Sequence, residues 1–170
     1  TQARVVALFR DRLQYDYLGN WIDRDNRNIE PDYLLTWLKK QGVSDNLASR
    51  ALLEILKVAG DTSKSLYDRN HAVYGLLRYG VKVQPGAGEN KEMVSLIDWK
   101  QPQNNHFAFA EEVTVKGADA KASTKRPDIV LFINGIAIGT LELKRSTVSV
   151  TEGIRQNLDN QKKEFIQPFF

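Results

Sequence analysis

The residues best suited to chemistry lie in two short stretches: Arg126-Pro127-Asp128 and, after an apolar run and a turn, Leu141-Glu142-Leu143-Lys144. Cleaving a phosphodiester bond calls for a hard cation, and Mg2+ takes carboxylate oxygens together with water. Asp128 and Glu142, carried on adjacent strands, can hold such an ion, and the main-chain carbonyl of Leu143 can supply a third oxygen. A metal held there lowers the pKa of a bound water and stabilises charge on the phosphate. Lys144 stands two residues beyond Glu142, so in an extended strand the two side chains share a face. Its ammonium can orient the attacking water and neutralise phosphate charge. The spacing therefore predicts Asp128, Glu142 and Lys144 as the catalytic set, with Asp128, Glu142 and Leu143 around the metal.

These positions demand a particular hairpin. Ile129 to Ile133 is apolar on both faces, as suits a central strand. Asn134-Gly135 is a turn signal, and Ile136 to Leu143 reads as the returning strand. A two-residue turn would pair Ile133 with Ile136 and Asp128 with Leu141, setting Asp128 and Glu142 on opposite faces. A three-residue loop, Asn134 to Ile136, or a bulge shifts the pairing by one and brings the acids across from each other. The metal-site reading thus predicts an odd loop or a bulge; a plain two-residue turn without one counts against it. Charges set among Leu141, Leu143 and the apolar strand are costly unless paired or metal-bound. The same residues also allow a structural Glu–Lys–Asp network, or an edge strand with solvent-facing charges.

The elements that position this hairpin are helical first and β later. Val5, Val6, Leu8, Phe9 and Leu13 fit a helical stripe running to about Leu18. Pro31 opens a second helix through Tyr33, Leu34, Leu35, Trp37 and Leu38, with Gly42 as its stop. Ser44 or Asp45 can cap a third, carried by Leu47, Ala51, Leu52, Ile55 and Leu56 to Gly60. A fourth runs from about Ser65 to Tyr79 and ends at Gly80. Beyond it, Val81 to Val83, Met93 to Ile97 and Phe107 to Val115 are short β-like runs, with Pro85 to Gly88 and Gly117 to Thr124 as exposed loops. Ser149 and Glu152 have the spacing of a capping box, opening a helix predicted to turn Ile154, Leu158 and Phe165 inward. Helices, then a β-meander, then a helix against the sheet make an α+β, or mixed α/β, domain. The predicted division is a helical part, 1–64, and a core, 65–170, cut before a last strand that Pro168-Phe169-Phe170 would begin.

Composition sets outer bounds. The chain has 170 residues, 42% of them hydrophobic, and no cysteine, which excludes a thiol nucleophile, a disulfide scaffold and cysteine-ligated zinc. No apolar run reaches the roughly 20 residues of a membrane span, Thr1 to Arg10 lacks a signal-peptide core, and the expected location is the cytoplasm. The net charge is +3, compatible with an anionic partner. Lys116, Lys121, Lys125, Arg126, Lys144, Arg145, Arg155, Lys162 and Lys163 all fall in the last third. Of these, Lys125, Arg126, Arg145, Arg155 and Lys162 are the candidate contacts to such a partner; a merely solvated lysine-rich surface is the competing view, and on charge alone the preferred one.

Met93-Val94-Ser95-Leu96-Ile97-Asp98-Trp99, Pro102, Asn105 and Phe107 lead into Arg126-Pro127-Asp128-Ile129-Val130-Leu131-Phe132-Ile133-Asn134-Gly135, with Leu141-Glu142-Leu143-Lys144-Arg145 following. This succession resembles the N-terminal nuclease domain of the R subunit of type I restriction–modification enzymes, in the PD-(D/E)xK nuclease superfamily. The likeness is strong from about Asn70 to Phe170 and loose before it. It implies a restriction-endonuclease-like core, a mixed β-sheet flanked by helices, in which Asp128 and Glu142 match the acidic ligands and Lys144 the catalytic lysine. It also implies Gln156 in the Gln-x-x-x-Tyr position of the following helix, although Asn160 stands where the tyrosine is expected. Double-stranded DNA as substrate, Mg2+ as cofactor, and methylation and specificity subunits as partners follow from the same resemblance. ATP belongs to a motor region outside this sequence, which has no Gly-x-x-x-x-Gly-Lys-Ser/Thr loop.

Two rivals stand beside that expectation: another nuclease of the superfamily, for repair or standalone restriction, and a non-catalytic DNA-binding or assembly domain of the same fold. His71 and His106 lack metal-type spacing, and Ser146 and Thr147 have no histidine in motif range for a hydrolase triad. Glu111 or Glu112 can add a carboxylate to the site or simply be solvated. Trp21, Trp37 and Trp99 read as core or interface anchors rather than base-stacking platforms.

Overall fold

The computed structural model describes residues 2–115, 125–144 and 149–160. In chain order the elements are α1 (Gln2–Ala7), a π-helical turn (Leu8–Arg12), β1 (Asp16–Asn20), α2 (Pro31–Lys40), α3 (Asp45–Ala59), α4 (Leu66–Tyr79), β2 (Val81–Val83) and β3 (Glu92–Val94). A 3-10 turn (Pro102–Asn104) then precedes β4 (Phe107–Glu111), β5 (Ile129–Ile133), β6 (Ile136–Leu141) and α5 (Val150–Asn160). This is the expected α+β class. The predicted loop Gly117 to Thr124, Phe165 and the end of the chain lie outside the described residues.

Two compact units divide the described residues: Ile29–His106 with Asn134–Ile136, and the remainder of Thr1–Asn28, Phe107–Ile133 and Ala137–Phe170. The first unit holds α2, α3 and α4 with the antiparallel β2–β3 ladder. Its helices start where the sequence says. Pro31 opens α2, the Ser44 hydroxyl accepts the Leu47 N–H that begins α3, and Ser65 accepts the Asp68 N–H of α4. Leu34, Trp37, Leu38, Ala51, Leu52 and Ile55 turn one face of α2 and α3 into a common core with Val81, Val94 and Leu96. At Gly80, with φ of 87°, an added Cβ would stand 2.9 Å from the Val94 carbonyl.

The tip of the β5–β6 hairpin belongs to this unit. Asn134 and Gly135 have φ of 53° and 83°, the two positive values of a type I′ turn. Gly135 is obligatory, because a Cβ there would lie 2.7 Å from that of Tyr33. Asn134 is completely buried. Its Oδ1 accepts from the His106 N–H at 2.7 Å, and its Nδ2 donates to the Leu96 carbonyl and to Asn105 Oδ1, both at 2.9 Å.

In the other unit four strands form one mixed sheet in the order β1-β4-β5-β6, with β1 parallel and β5 antiparallel to β4. β5 is central, as its apolar run requires. Facing pairs alternate: Ala108 with Phe132 and Ala110 with Val130 join a core with Trp21 and Val113, while Phe109, Ile129 and Leu131 meet Val6, Val5 and Phe9 of the first helical segment.

Four expectations need correction. The β-like runs predicted from Met93 to Ile97 and from Phe107 to Val115 hold strands only at Glu92–Val94 and Phe107–Glu111. The helix predicted to reach Leu18 stops at Arg12, because Gln14 takes φ of 59° and Asp16–Asn20 pairs with β4. The strand predicted to run to Leu143 ends at Leu141. Ile154 and Leu158 of α5, predicted inward, are 57% and 62% exposed; the helix turns Gly153 and Gln156 toward Lys144 instead.

Asn134 carries more of the fold than its place in a turn suggests. Asn134→Ala removes three hydrogen bonds inside a closed core and is expected to cost on the order of 3 kcal/mol in urea unfolding. Asn134→Gly keeps the turn's backbone yet should lose nearly as much; recovery of full stability by the glycine variant would show that backbone conformation, not the buried amide, is what matters.

Candidate active site

The turn is the two-residue one, which by itself would separate the acids. The packing shows how they are reunited. Ala137 packs with Val130 and Phe132 on one side of the sheet, whereas Leu141 and Leu143 pack with Ile129 and Leu131 on the other. Ala137 and Leu141 are an even number of residues apart, so strict alternation would put them on one face. The alternation slips by one residue between them, which is the bulge-like shift the site needs. Asp128 then alternates with Ile129, and Glu142 and Lys144 with Leu141 and Leu143, so all three charged side chains leave the α1 side of the sheet.

Hydrogen bonds tie the three together. Asp128 Oδ2 accepts the main-chain N–H of Leu143 at 2.5 Å, between Glu142 and Lys144. Gln156 of α5 reaches both of the latter: its Oε1 accepts from the Lys144 ammonium, and its Nε2 donates to Glu142 Oε2 at 3.0 Å. Gly153, one turn earlier, brings α5 close to Lys144; a Cβ there would lie 3.5 Å from Lys144 Cγ. Ser149 starts that helix, its hydroxyl accepting from the Thr151 N–H at 3.2 Å. Asp128, Glu142, Lys144 and Gln156 are each partly buried.

Beside Asp128 lies a second set of carboxylates. Glu112, with φ of 51°, donates its N–H to the Asp128 carbonyl at 3.0 Å. Its side chain takes Arg126 Nε at 2.7 Å on one oxygen and Gln2 Nε2 at 3.1 Å on the other. The same Gln2 amide donates to Glu111 at 2.7 Å, and the Tyr17 hydroxyl donates to Glu111 at 2.5 Å. Neither glutamate is simply solvated. Gln2 and Tyr17 escaped sequence reasoning, since nothing nearby in the chain links them to a strand about a hundred positions away.

The other anticipated contacts scatter. Arg126 pairs with Glu112, Arg155 is exposed on α5, and the backbone of Lys125 bridges that of Val115. Arg145 and Lys162 lie outside the described residues, as does the side chain of Asn160. His71 is exposed against Tyr67, and His106 stacks on Tyr33. Trp21 and Trp37 are buried and Trp99 is half exposed.

Among the described residues no group of three or more His, Cys, Asp or Glu side chains is placed to hold a metal. The donors at the hairpin end are carboxylate oxygens, a chemistry that suits Mg2+ better than a softer ion.

The hairpin end thus gathers two acids and a lysine on an α+β domain. The family model for the type I restriction enzyme R protein N terminus matches residues 1–170, and the chain belongs to that family. It is 33% identical over 106 residues to the type I restriction enzyme HindI endonuclease subunit of Haemophilus influenzae, covering 59% of this chain and 10% of that protein. Against the putative MjaVIIP and MjaVIIIP endonuclease subunits of Methanocaldococcus jannaschii the identities are 38% over 82 residues and 43% over 58, covering 47% and 34% of this chain. The chain spans a tenth or less of the length of these relatives. No helix among the described residues is long and apolar enough to cross a membrane.

The Glu111–Tyr17 contact has a titration of its own. The hydrogen bond to Glu111, aided by burial and the carboxylate's charge, pushes the Tyr17 phenol up to about 12 from 10.0. Because the folded value is raised, the stabilisation is complete below the ordinary phenol pKa and is lost as pH climbs through the higher one. In a phenolate absorbance titration, Tyr17→Phe should delete the last-ionising tyrosine, and Glu111→Gln should return that step toward its ordinary pH. A late step that persists in Tyr17→Phe would assign it elsewhere.

Proposed function

We propose that this chain is the nuclease region of a type I restriction R subunit, a PD-(D/E)xK domain that hydrolyses phosphodiester bonds of double-stranded DNA. The observation that carries this reading is the amide of Gln156 spanning Lys144 and Glu142, with Asp128 fastened to the intervening Leu143 N–H. Asp128, Glu142 and the Leu143 carbonyl would hold Mg2+, which when bound supplies an acidified water and positive charge at the phosphate. Lys144 donates to the attacking water and to a phosphate oxygen, offsetting charge that grows as water attacks phosphorus and the leaving oxygen departs. Gln156 keeps the lysine and glutamate tips in register before substrate arrives. Lys125, Arg126 and Arg155, with Arg145 and Lys162, grip backbone phosphates, which positions a duplex without reading its sequence. Target choice then falls to specificity and methylation subunits, and ATP-driven translocation to the remainder of the R subunit, in the cytoplasm where the assembly meets foreign DNA.

The same hydrogen bonds would equally brace a hairpin that never cuts, and mutation separates the two. In the complete R subunit assembled with its partner subunits, Mg2+ and ATP, Asp128→Ala, Glu142→Ala and Lys144→Ala should each lower DNA cleavage by at least about a hundredfold while ATP hydrolysis continues. Gln156→Ala, acting through its neighbours, should cost roughly 10- to 100-fold. Cleavage at the wild-type rate in Asp128→Ala or Glu142→Ala would leave only a bracing or DNA-holding role.

A further inference from the structure

Arg126 is not idle in the DNA-free protein. Its Nε lies 2.7 Å from Glu112, and the two side chains are unequally placed, Arg126 being 49% exposed and Glu112 20%. Glu112 is a fixed post. Its second oxygen is on Gln2, its N–H is on the Asp128 carbonyl, and its backbone sits in the left-handed region. Arg126 by contrast rides on the rim of an open groove of about 680 Å3, lined also by Gln2, Arg10, Tyr17 and Asn20 and by the carboxylates of Glu111 and Glu112. If the pair opens, the guanidinium moves and the carboxylate stays. Pro127, which is buried, separates that movement from Asp128.

We propose that Glu112 masks a phosphate-binding guanidinium: it holds Arg126 in the free protein and yields it to a DNA backbone phosphate when a duplex lies along this groove. The inference rests on the nuclease reading for its ligand. A half-exposed ion pair is weak in water, and a single carboxylate is a poor competitor for a polyanion with one charge per ~1.7 Å of axis. The exchange therefore runs toward phosphate when DNA is present and back when it leaves. Its effect is to lower affinity for DNA that does not settle in the groove, since the Arg126 grip on the backbone must first break a bond inside the protein. An Arg126 left permanently free would add to sequence-independent binding instead.

The test is binding of the intact R subunit to a duplex of arbitrary sequence, without divalent cation so that no cutting occurs, followed by fluorescence anisotropy across a salt series. Arg126→Ala should weaken binding about tenfold and reduce the log–log salt slope by about one. Glu112→Gln should tighten it several-fold at low salt and steepen the slope. Glu112→Asp, too short to keep the pair but equal in charge, should tighten it as well, which net charge alone would not do. In the Arg126→Ala background neither Glu112 change should matter. A gain of the same size in that background, or no gain from either Glu112 variant in folded protein, overturns the mask. Loss of cleavage in the Asp128 and Glu142 variants is read separately, so a non-cutting protein that still shows this coupling would fail the nuclease reading alone. Failure of the wild-type subunit to bind any duplex would sink both.

Discussion

A charged group drawn in among leucines must be met by a partner, and one neutral side chain reaches both Glu142 and Lys144. Gln156 has an acceptor for the ammonium and a donor for the carboxylate on the same planar amide. An amide carries no net charge, so this bridge orients both tips without itself neutralising either.

That arrangement depends on where the strands let go. The hairpin is nailed at its tip, where the Asn134 side chain makes three hydrogen bonds in a closed core and Gly135 leaves no room for a side chain. A rigid I′ turn imposes a register that would split the acids. The slip between Ala137 and Leu141 and the end of the ladder at Leu141 undo that imposition over the last few residues. Asp128, just before Ile129, then uses its carboxylate to hold the departing strand by the Leu143 N–H. Strict pairing at one end and relaxed pairing at the other are thus complementary: the first fixes the chain, the second lets side chains of both strands turn to one side.

Much of this could be read from the sequence because the signals are local. Ser44 and Ser65 as caps, Pro31 and Gly80 as start and stop, and the central apolar strand each depend on a few neighbours. The hairpin's need for a shift could also be stated beforehand, since it follows from counting. What could not be read lies far apart in the chain. Asp16–Asn20 has the look of a helix end until β4, some ninety residues on, offers a parallel edge. Gln2 binds Glu111 and Glu112 across a similar span. Asn134 reads as a turn residue, yet its side chain is spent on Leu96, Asn105 and His106, which only the folded chain assembles.

The helix after the lysine is the most instructive miss. Periodicity says that Ile154 and Leu158 should be buried, and they are 57% and 62% exposed. A roll of α5 that hid them would gain about 1.5–3 kcal/mol for each side chain fully buried. The same roll would carry Gln156 away and leave Glu142 and Lys144 partly buried without that partner, at a cost of several kcal/mol per ion. It would also set side chains other than Gly153 against Lys144, where the approach is already at van der Waals distance. Hydrophobic pattern therefore loses to charge satisfaction on this one helix, and its orientation is dictated by the polar end of the hairpin rather than by the core. A helix held in this way positions a site because the site is what holds it.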